Sequence, residues 1–223
     1  MNKEYPSISF KNRIENIAKN IEELGDLTII SNNDTVSLLE CYDESTYLNI
    51  LNRSNDVDIK TIDLEKECIS FMAIEQPVAR DLMFIESSLR LLSHIKRICR
   101  LFMKIAESIK NIQNIEIPEI IIMKLKYMGN CTQYMIKKSI FAFLNQDTEK
   151  AKELSVDDDK IDELYDSILE QSTDIIKNKE SIQYFLKVIT IARYFERIAD
   201  KTVNIGSRTI FMQTFKRPEI ESS

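Results

Sequence analysis

The scarcity of turn-forming residues is the strongest constraint on this chain. Its 223 residues contain 3 Gly and 4 Pro. A sheet architecture needs a turn roughly every 8–12 residues, which this composition cannot supply. Long helices with few connections remain. Hydrophobic residues at 43% can fill a core, while 30% charged residues can cover it, the balance of a globular chain. The length allows one large domain or two small ones. The expected class is all-α.

Several functions are disfavoured at once. The formal net charge is -6, and no arginine-rich arm or basic stripe stands out, so no nucleic-acid partner is expected. The most apolar stretch, Leu82 to Ile105, is broken by Glu86, Arg90, Lys96, Arg97 and Arg100, too many charges for a membrane span. Met1 to Phe10 lacks the basic-then-apolar layout of an export signal. A cytoplasmic chain is expected. Cys41, Cys68, Cys99 and Cys131 form no C-x-x-C pair and read as reduced, buried thiols. No glycine-rich phosphate cradle or nucleophile motif occurs.

An internal repeat organises the chain. A shift of 104 residues brings Gly25 onto Gly129, Asp43 onto Asp147, Ile50 onto Leu154, Val57-Asp58 onto Ile161-Asp162 and Leu64 onto Ile168. At a shift of 100, Lys96-Arg97-Ile98 meets Glu196-Arg197-Ile198. Two copies of one unit are predicted, residues 1–113 and 114–223, each an antiparallel three-helix bundle. In the first copy a helix runs from about Phe10 to Tyr42, with a possible break at Ser31-Asn32-Asn33. Asp43 caps a second helix, whose apolar positions include Tyr47, Leu51, Ile62, Ile69 and Met72. Pro77 falls in the first turn of a third helix, which ends near Ile109. In the second copy Pro118 opens a helix and Asp147 caps the next. Leu154, Ile161, Leu164, Ile168 and Ile175 form one stripe there. The last helix spans about Glu180 to Phe215, is apolar over more than one face, and is expected to be the most buried of its bundle. Gly25 and Gly129 lie inside helices, where each costs about 1 kcal/mol against Ala; a close helix approach or a bend would explain them.

Four carboxylates deserve separate treatment. Asp158 and Asp162 lie four apart on the fifth helix, and Glu196 and Asp200 four apart on the sixth, so each pair shares a helix face. A short turn near Asn178-Lys179 makes these helices antiparallel. Asp162 and Glu196 are each about 17 residues from it, and at about 1.5 Å per residue they sit level. Asp158 is then level with Asp200. Four converging carboxylates with no His or Cys suit a hard cation such as Mg²⁺, Mn²⁺ or iron. The alternative is a solvated face on which they pair with Lys160, Arg193, Arg197 and Lys201.

Ala192-Arg193-Tyr194-Phe195-Glu196-Arg197-Ile198-Ala199-Asp200, followed by Asn204-Ile205, resembles the A-R-x-L-E-R-I-A-D-H-x-x-N-I signature of the PhoU phosphate-signalling regulators. Gln76-Pro77-Val78-Ala79-Arg80-Asp81-Leu82 is similar to that family's Q-P-V-A-S-D-L-R. Asp147 to Ala151, with Asp158-x-x-Ile161-Asp162-Glu163-Leu164-Tyr165, matches a third family motif. The resemblance covers nearly the whole chain in order. It implies the six-helix duplicated fold and a non-enzymatic, metal-binding adaptor that restrains the phosphate-starvation response and phosphate uptake. The implied partners are the ATPase subunit of a phosphate ABC transporter and a sensor histidine kinase, through which the protein would be peripheral to the membrane. A homodimer is implied as well. It also implies a divalent metal (Mg, Mn, Fe or Zn) on Asp158, Asp162, Glu196 and Asp200, with Arg193, Arg197, Asn204 and Asp81 as supporting motif residues. An accessory subunit of an ion-coupled phosphate carrier is a second reading. A carboxylate-metal hydrolase comes last, for want of a general base distinct from the ligands.

The first copy departs from the pattern. Where the family has E-R-I-G-D, this chain has Lys96-Arg97-Ile98-Cys99-Arg100, and Asp58 has Ser54 four residues before it. The antiparallel count brings Lys96 and Arg100 to the level of Asp58 and Ser54, so an internal ion pair of Asp58 with Lys96 or Arg100 is expected instead of a metal. His94, the only histidine, reads as a partly buried helix residue, not a ligand.

Overall fold

The structure is a computed structural model, and it describes residues 8–77, 80–175 and 179–215. Six helices follow in order: α1 (Ile8–Glu40), α2 (Glu44–Glu75), α3 (Arg80–Lys110), α4 (Glu119–Asn145), α5 (Thr148–Ile175) and α6 (Lys179–Thr214). Among the described residues there is no strand. The caps expected from sequence form. Asp43 accepts from the Thr46 N–H at 2.7 Å, and Asp147 accepts from the Lys150 N–H at 3.1 Å. Each satisfies an N–H that the first turn leaves without a helical partner. Gln76 and Gln146 end α2 and α4 in the left-handed conformation, with φ of 46° and 54°. Pro77 stands before α3, not inside its first turn, and Val78 and Ala79 of the same motif lie outside the described residues. So do residues 176–178, where the last turn was expected.

Each three-helix set packs on itself, and the two sets then pack together through α1 on α4 and α3 on α6. One hydrophobic core runs through all six helices. The contact between α1 and α4 is reciprocal. A Cβ on Gly25 would lie 2.5 Å from Ile140 Cδ1, and one on Gly129 would lie 2.4 Å from Val36 Cγ2. A shift of 104 residues carries Gly25 to Gly129 and Val36 to Ile140. The two repeats are therefore related by a pseudo-dyad, and each glycine makes room for the other helix's branched side chain. Close approach, not a bend, is what the glycines serve.

α1 does not break at Ser31-Asn32-Asn33; the helix is continuous. Thr28, Ser31, Asn32 and Thr35 are buried, yet all are satisfied. The three hydroxyls bond back to the carbonyls of Leu24, Leu27 and Ser31. The Asn32 amide donates to the Gly129 carbonyl at 3.0 Å and accepts from the Thr132 hydroxyl at 3.2 Å. A buried amide without partners would cost several kcal/mol; here it joins the repeats.

A second relation between the repeats concerns charge. Arg53 on α2 meets Asp34 on α1 at 2.7 Å. Lys138 on α4 meets Asp157 on α5 at 2.7 Å and Glu153 at 2.8 Å. The 104-residue shift maps Asp34 onto Lys138 and Arg53 onto Asp157, so the same position carries an ion pair with exchanged signs. Packing α1 on α5, or α4 on α2, would set like charges together, which favours the observed pairing.

Two sequence expectations change. The core face of α2 is Ile50, Ser54, Val57, Thr61, Leu64, Cys68 and Phe71, while Ile62 and Ile69 are exposed. Only Cys68 and Cys99 are buried thiols; Cys41 is exposed and Cys131 half-buried. Burial pushes Cys68 and Cys99 each up to about 12, keeping them as inert thiols.

Gly129→Ala should destabilise the protein by about 1–2 kcal/mol, the overpacking cost exceeding the gain in helix propensity. Adding Val36→Ala should recover most of the lost Tm in thermal unfolding followed by circular dichroism.

Candidate metal centre

α5 and α6 lie side by side because each has an apolar face to bury against the other. Leu154, Ile161 and Ile168 of α5 and Phe185, Val188, Phe195 and Ile198 of α6 are all in the core. Gly206 lets them close up, since a Cβ there would come within 2.9 Å of the Ala151 carbonyl. The acidic residues border this seam. Asp158, Glu196 and Asp200 are half-buried and Asp162 is exposed.

The four carboxylates feel one another. Burial, reinforced by Asp162, Asp200, Glu196 and Asp159, raises the Asp158 carboxyl to about 7. Asp162 is raised by burial and then by Asp200. Glu196 is raised by burial and then by Asp200 and Asp162, against the opposing pull of Arg193 and Arg197. Oδ1 of Asp158 is buried with no hydrogen-bond partner, an open acceptor that a cation would satisfy. Lys160 turns away from the cluster to Asp157 at 3.0 Å. Among the described residues, no ion pair reaches any of the four. Equally, among the described residues no three His, Cys, Asp or Glu side chains are disposed to hold a metal ion as they stand. The site is thus an acidic patch, partly withdrawn from water, whose carboxylates are the donor type a hard cation prefers.

The corresponding place in the first repeat is built differently. The Arg100 guanidinium binds Asp58 Oδ2 through Nη2 at 2.7 Å and Nε at 3.2 Å. Ser54 is buried beside it, and Lys96 is half-buried without an ion pair to Asp58. Of the two cations expected to answer Asp58, Arg100 does so. Asp58 thus has a cationic partner from within its own repeat.

The remaining motif residues are spread out. Asp81 sits in the first turn of α3, where a carboxylate favours the helix dipole. Asn204 donates to the Asp200 carbonyl at 2.7 Å, and Arg193 and Arg197 are exposed. His94 is forced down to about 4 by burial and by Lys201, Arg97 and Arg90, so it is neutral at physiological pH. These cations come from α3 and α6 together, a grouping that one-dimensional reading did not find. Nor did it find the Lys138–Asp157 pair, because neither partner is unusual until α4 lies against α5. Among the described residues no helix is long and apolar enough to cross a membrane.

Comparison with known proteins follows the same outline. The PhoU domain family matches the chain twice, over residues 15–109 and 125–209. The chain is 42% identical to the "Phosphate-specific transport system accessory protein PhoU homolog 1" of Methanothermobacter thermautotrophicus, across 98% of this chain and 100% of that protein. Its fold superposes on the crystal structure of PhoU from Pseudomonas aeruginosa with a TM-score of 0.85 at 22% identity, covering 91% of this chain and 98% of that one. For the phosphate transport system regulatory protein PhoU from Streptococcus pneumoniae the TM-score is 0.86 at 22% identity, over 93% and 98%.

The raised Asp158 gives a pH signature. Its folded value is about 7 against an ordinary 3.8, so between the two the folded chain holds a proton that the unfolded chain has released. Stability from this group is complete at acid pH and is lost as pH rises through about 7. In chelator-treated protein, Tm should fall between about pH 5 and pH 7.5 by an amount worth about 1–2 kcal/mol, screening by solvent included. Asp158→Asn should flatten that slope.

Proposed function

The chain belongs to the PhoU family, and from that premise we propose that it is the accessory regulator of a phosphate-specific transport system. It acts by binding its partners, not by catalysing a reaction. The observation that carries this reading is the extent of the likeness: both repeats match the PhoU domain, and the archaeal accessory protein is matched along its full length. The proposed contacts are the ATPase subunit of the transporter and a sensor histidine kinase, with the starvation response held off while phosphate is ample. Deleting the gene should raise phosphatase expression in high phosphate, and the wild-type gene should reverse it. Unchanged expression after deletion overturns this reading.

The proposal extends to one divalent-cation site per chain, in the second repeat. Asp158 and Asp162 from α5 and Glu196 and Asp200 from α6 would hold it. The bound cation supplies the positive charge that lets four carboxylates share one space. Asp158 contributes the buried oxygen that otherwise has no partner, and Asn204 fixes the backbone carbonyl of Asp200. In the first repeat, Arg100 already neutralises Asp58, and a second cation is not accommodated beside it.

A cation that binds only the folded state stabilises by mass action, by about 2.7 kcal/mol at 100-fold over its Kd. Mn²⁺ or Mg²⁺ should therefore raise Tm of chelator-treated protein, with a single class of site by calorimetry. Asp200→Asn should abolish the effect. Lys96→Glu together with Arg100→Asp should add a second site. Two equivalent sites in the natural chain would contradict the assignment.

A further inference from the structure

α3 and α6 meet along an antiparallel seam that two side-chain contacts fix. Glu86 pairs with Arg208, and Lys104 lies over the Tyr194 ring at 5.9 Å, so α3 rises from 86 to 104 as α6 descends from 208 to 194. Toward the Glu86 end the seam gathers positive charge. Arg90 and Arg97 are exposed on α3 and Lys201 is half-buried on α6, and all three lie close enough to His94 to oppose its protonation. Arg90 and Arg208 share the Glu86 carboxylate. Among the described residues, no ion pair reaches Arg97 or Lys201. On a chain of net charge -6, such a concentration of cations draws anions.

Beneath the cations lie polar atoms with nothing to bond. Ser87 is 0% exposed, and its Oγ has no hydrogen-bond partner. Other buried hydroxyls of these two helices donate to the carbonyl four residues earlier, as Ser88 does to Phe84 and Thr209 to Ile205. Ser87 does not. Nδ1 of His94, two turns further along the same face of α3, is also buried without a partner. Buried groups left unbonded are costly, and two on one helix face require an explanation. The duplication provides the comparison. A shift of 100 residues carries Arg90 to Thr190, His94 to Tyr194 and Ser108 to Arg208. At that related end Thr190 donates to the Leu186 carbonyl and Ser108 to the Lys104 carbonyl, while Lys104 covers the Tyr194 ring. One end of the seam is satisfied from within, and the other is not.

Length and charge select the ligand. Ser87 and His94 are about 10 Å apart along the helix, more than one tetrahedral anion spans and about what two linked phosphoryl groups span with a hydrogen bond at each end. With Glu86 set against Arg208, the charges of Arg90, Arg97 and Lys201 remain. Together they match the charge of a diphosphate near neutral pH and exceed that of a single phosphate. Guanidinium, ammonium and hydroxyl groups are the donors that phosphoryl oxygens accept from. We propose that the α3–α6 seam binds a diphosphate group, one phosphoryl on Ser87 and Arg90 and the other on His94, Arg97 and Lys201. The ligand is inorganic pyrophosphate or the diphosphate of a nucleotide. The inference stands on the seam alone, and it can fail while the cation site and the regulatory role hold.

His94 is the only histidine, so one imidazole reports on the site by proton NMR of the full chain in chelator-containing buffer. Inorganic pyrophosphate should move the His94 signals saturably, and inorganic phosphate at equal ionic strength should bind at least about tenfold more weakly. Arg97→Ala with Lys201→Ala should weaken pyrophosphate about 100-fold, at about tenfold for each lost charge-assisted contact. Ser87→Ala should weaken it too without lowering Tm, because the hydroxyl has no partner within the protein. Thr190→Ala, the change at the related end, should leave binding intact. ADP that binds as tightly as pyrophosphate supports the proposal and identifies a nucleotide as the source, while exclusion of ADP identifies the inorganic ion. Pyrophosphate that moves the His94 signals no more than sodium chloride of equal ionic strength overturns the proposal. So does binding indifferent to the Arg97 and Lys201 changes, or binding that appears only with added Mn²⁺, which would place the ligand at the carboxylates of α5 and α6.

Discussion

The fold depends on how closely α1 and α4 approach. Gly25 receives Ile140 and Gly129 receives Val36, so two half-contacts related by the pseudo-dyad seat one repeat on the other. That approach brings the Asn32 amide to the Gly129 carbonyl, and a polar side chain that would be a liability in an isolated bundle becomes a link between two. With α1 on α4 and α3 on α6, the outer helices α2 and α5 lean against a central layer, and each repeat buries its apolar face partly in the other. The two units share one hydrophobic core.

Duplication also explains the contrasts between the halves. One backbone plan has been given two solutions at three places. The α1–α2 ion pair reappears between α4 and α5 with its signs exchanged. The acidic cluster on α5 and α6 is answered, in the first repeat, by a guanidinium on Asp58. The α3–α6 seam sets His94 among cations at one end and Tyr194 under Lys104 at the other. In each case the shape common to both repeats serves as the reference against which a local chemical difference acquires meaning.

Electrostatics at the α5–α6 seam follow from packing before any ligand is considered. Helices closed together by Gly206 and an apolar face leave the flanking acids little water, and desolvation is the first cause of the raised carboxyls. Such an arrangement costs stability at neutral pH unless a proton or a cation relieves it. The arginine at Asp58 gives the same relief without a ligand. The two repeats thus hold alternative remedies for one problem of crowded charge.

The sequence by itself determined the helices, their number and their caps. Few Gly and Pro leave no other regular structure, and Asp43 and Asp147 act within one turn of themselves. It also predicts common heights for the four acids, because an antiparallel count about a short turn needs only the helical rise. What the sequence could not decide was the direction each side chain faces once helices meet. Asn32 reads locally as a helix breaker and is instead satisfied across the repeat boundary. Ile62 and Ile69 read as core and point to water. The Lys138–Asp157 pair and the cations around His94 both depend on which helix lies alongside. Local propensity acts over about a turn, whereas these contacts join residues far apart in the chain, so only tertiary packing could place them.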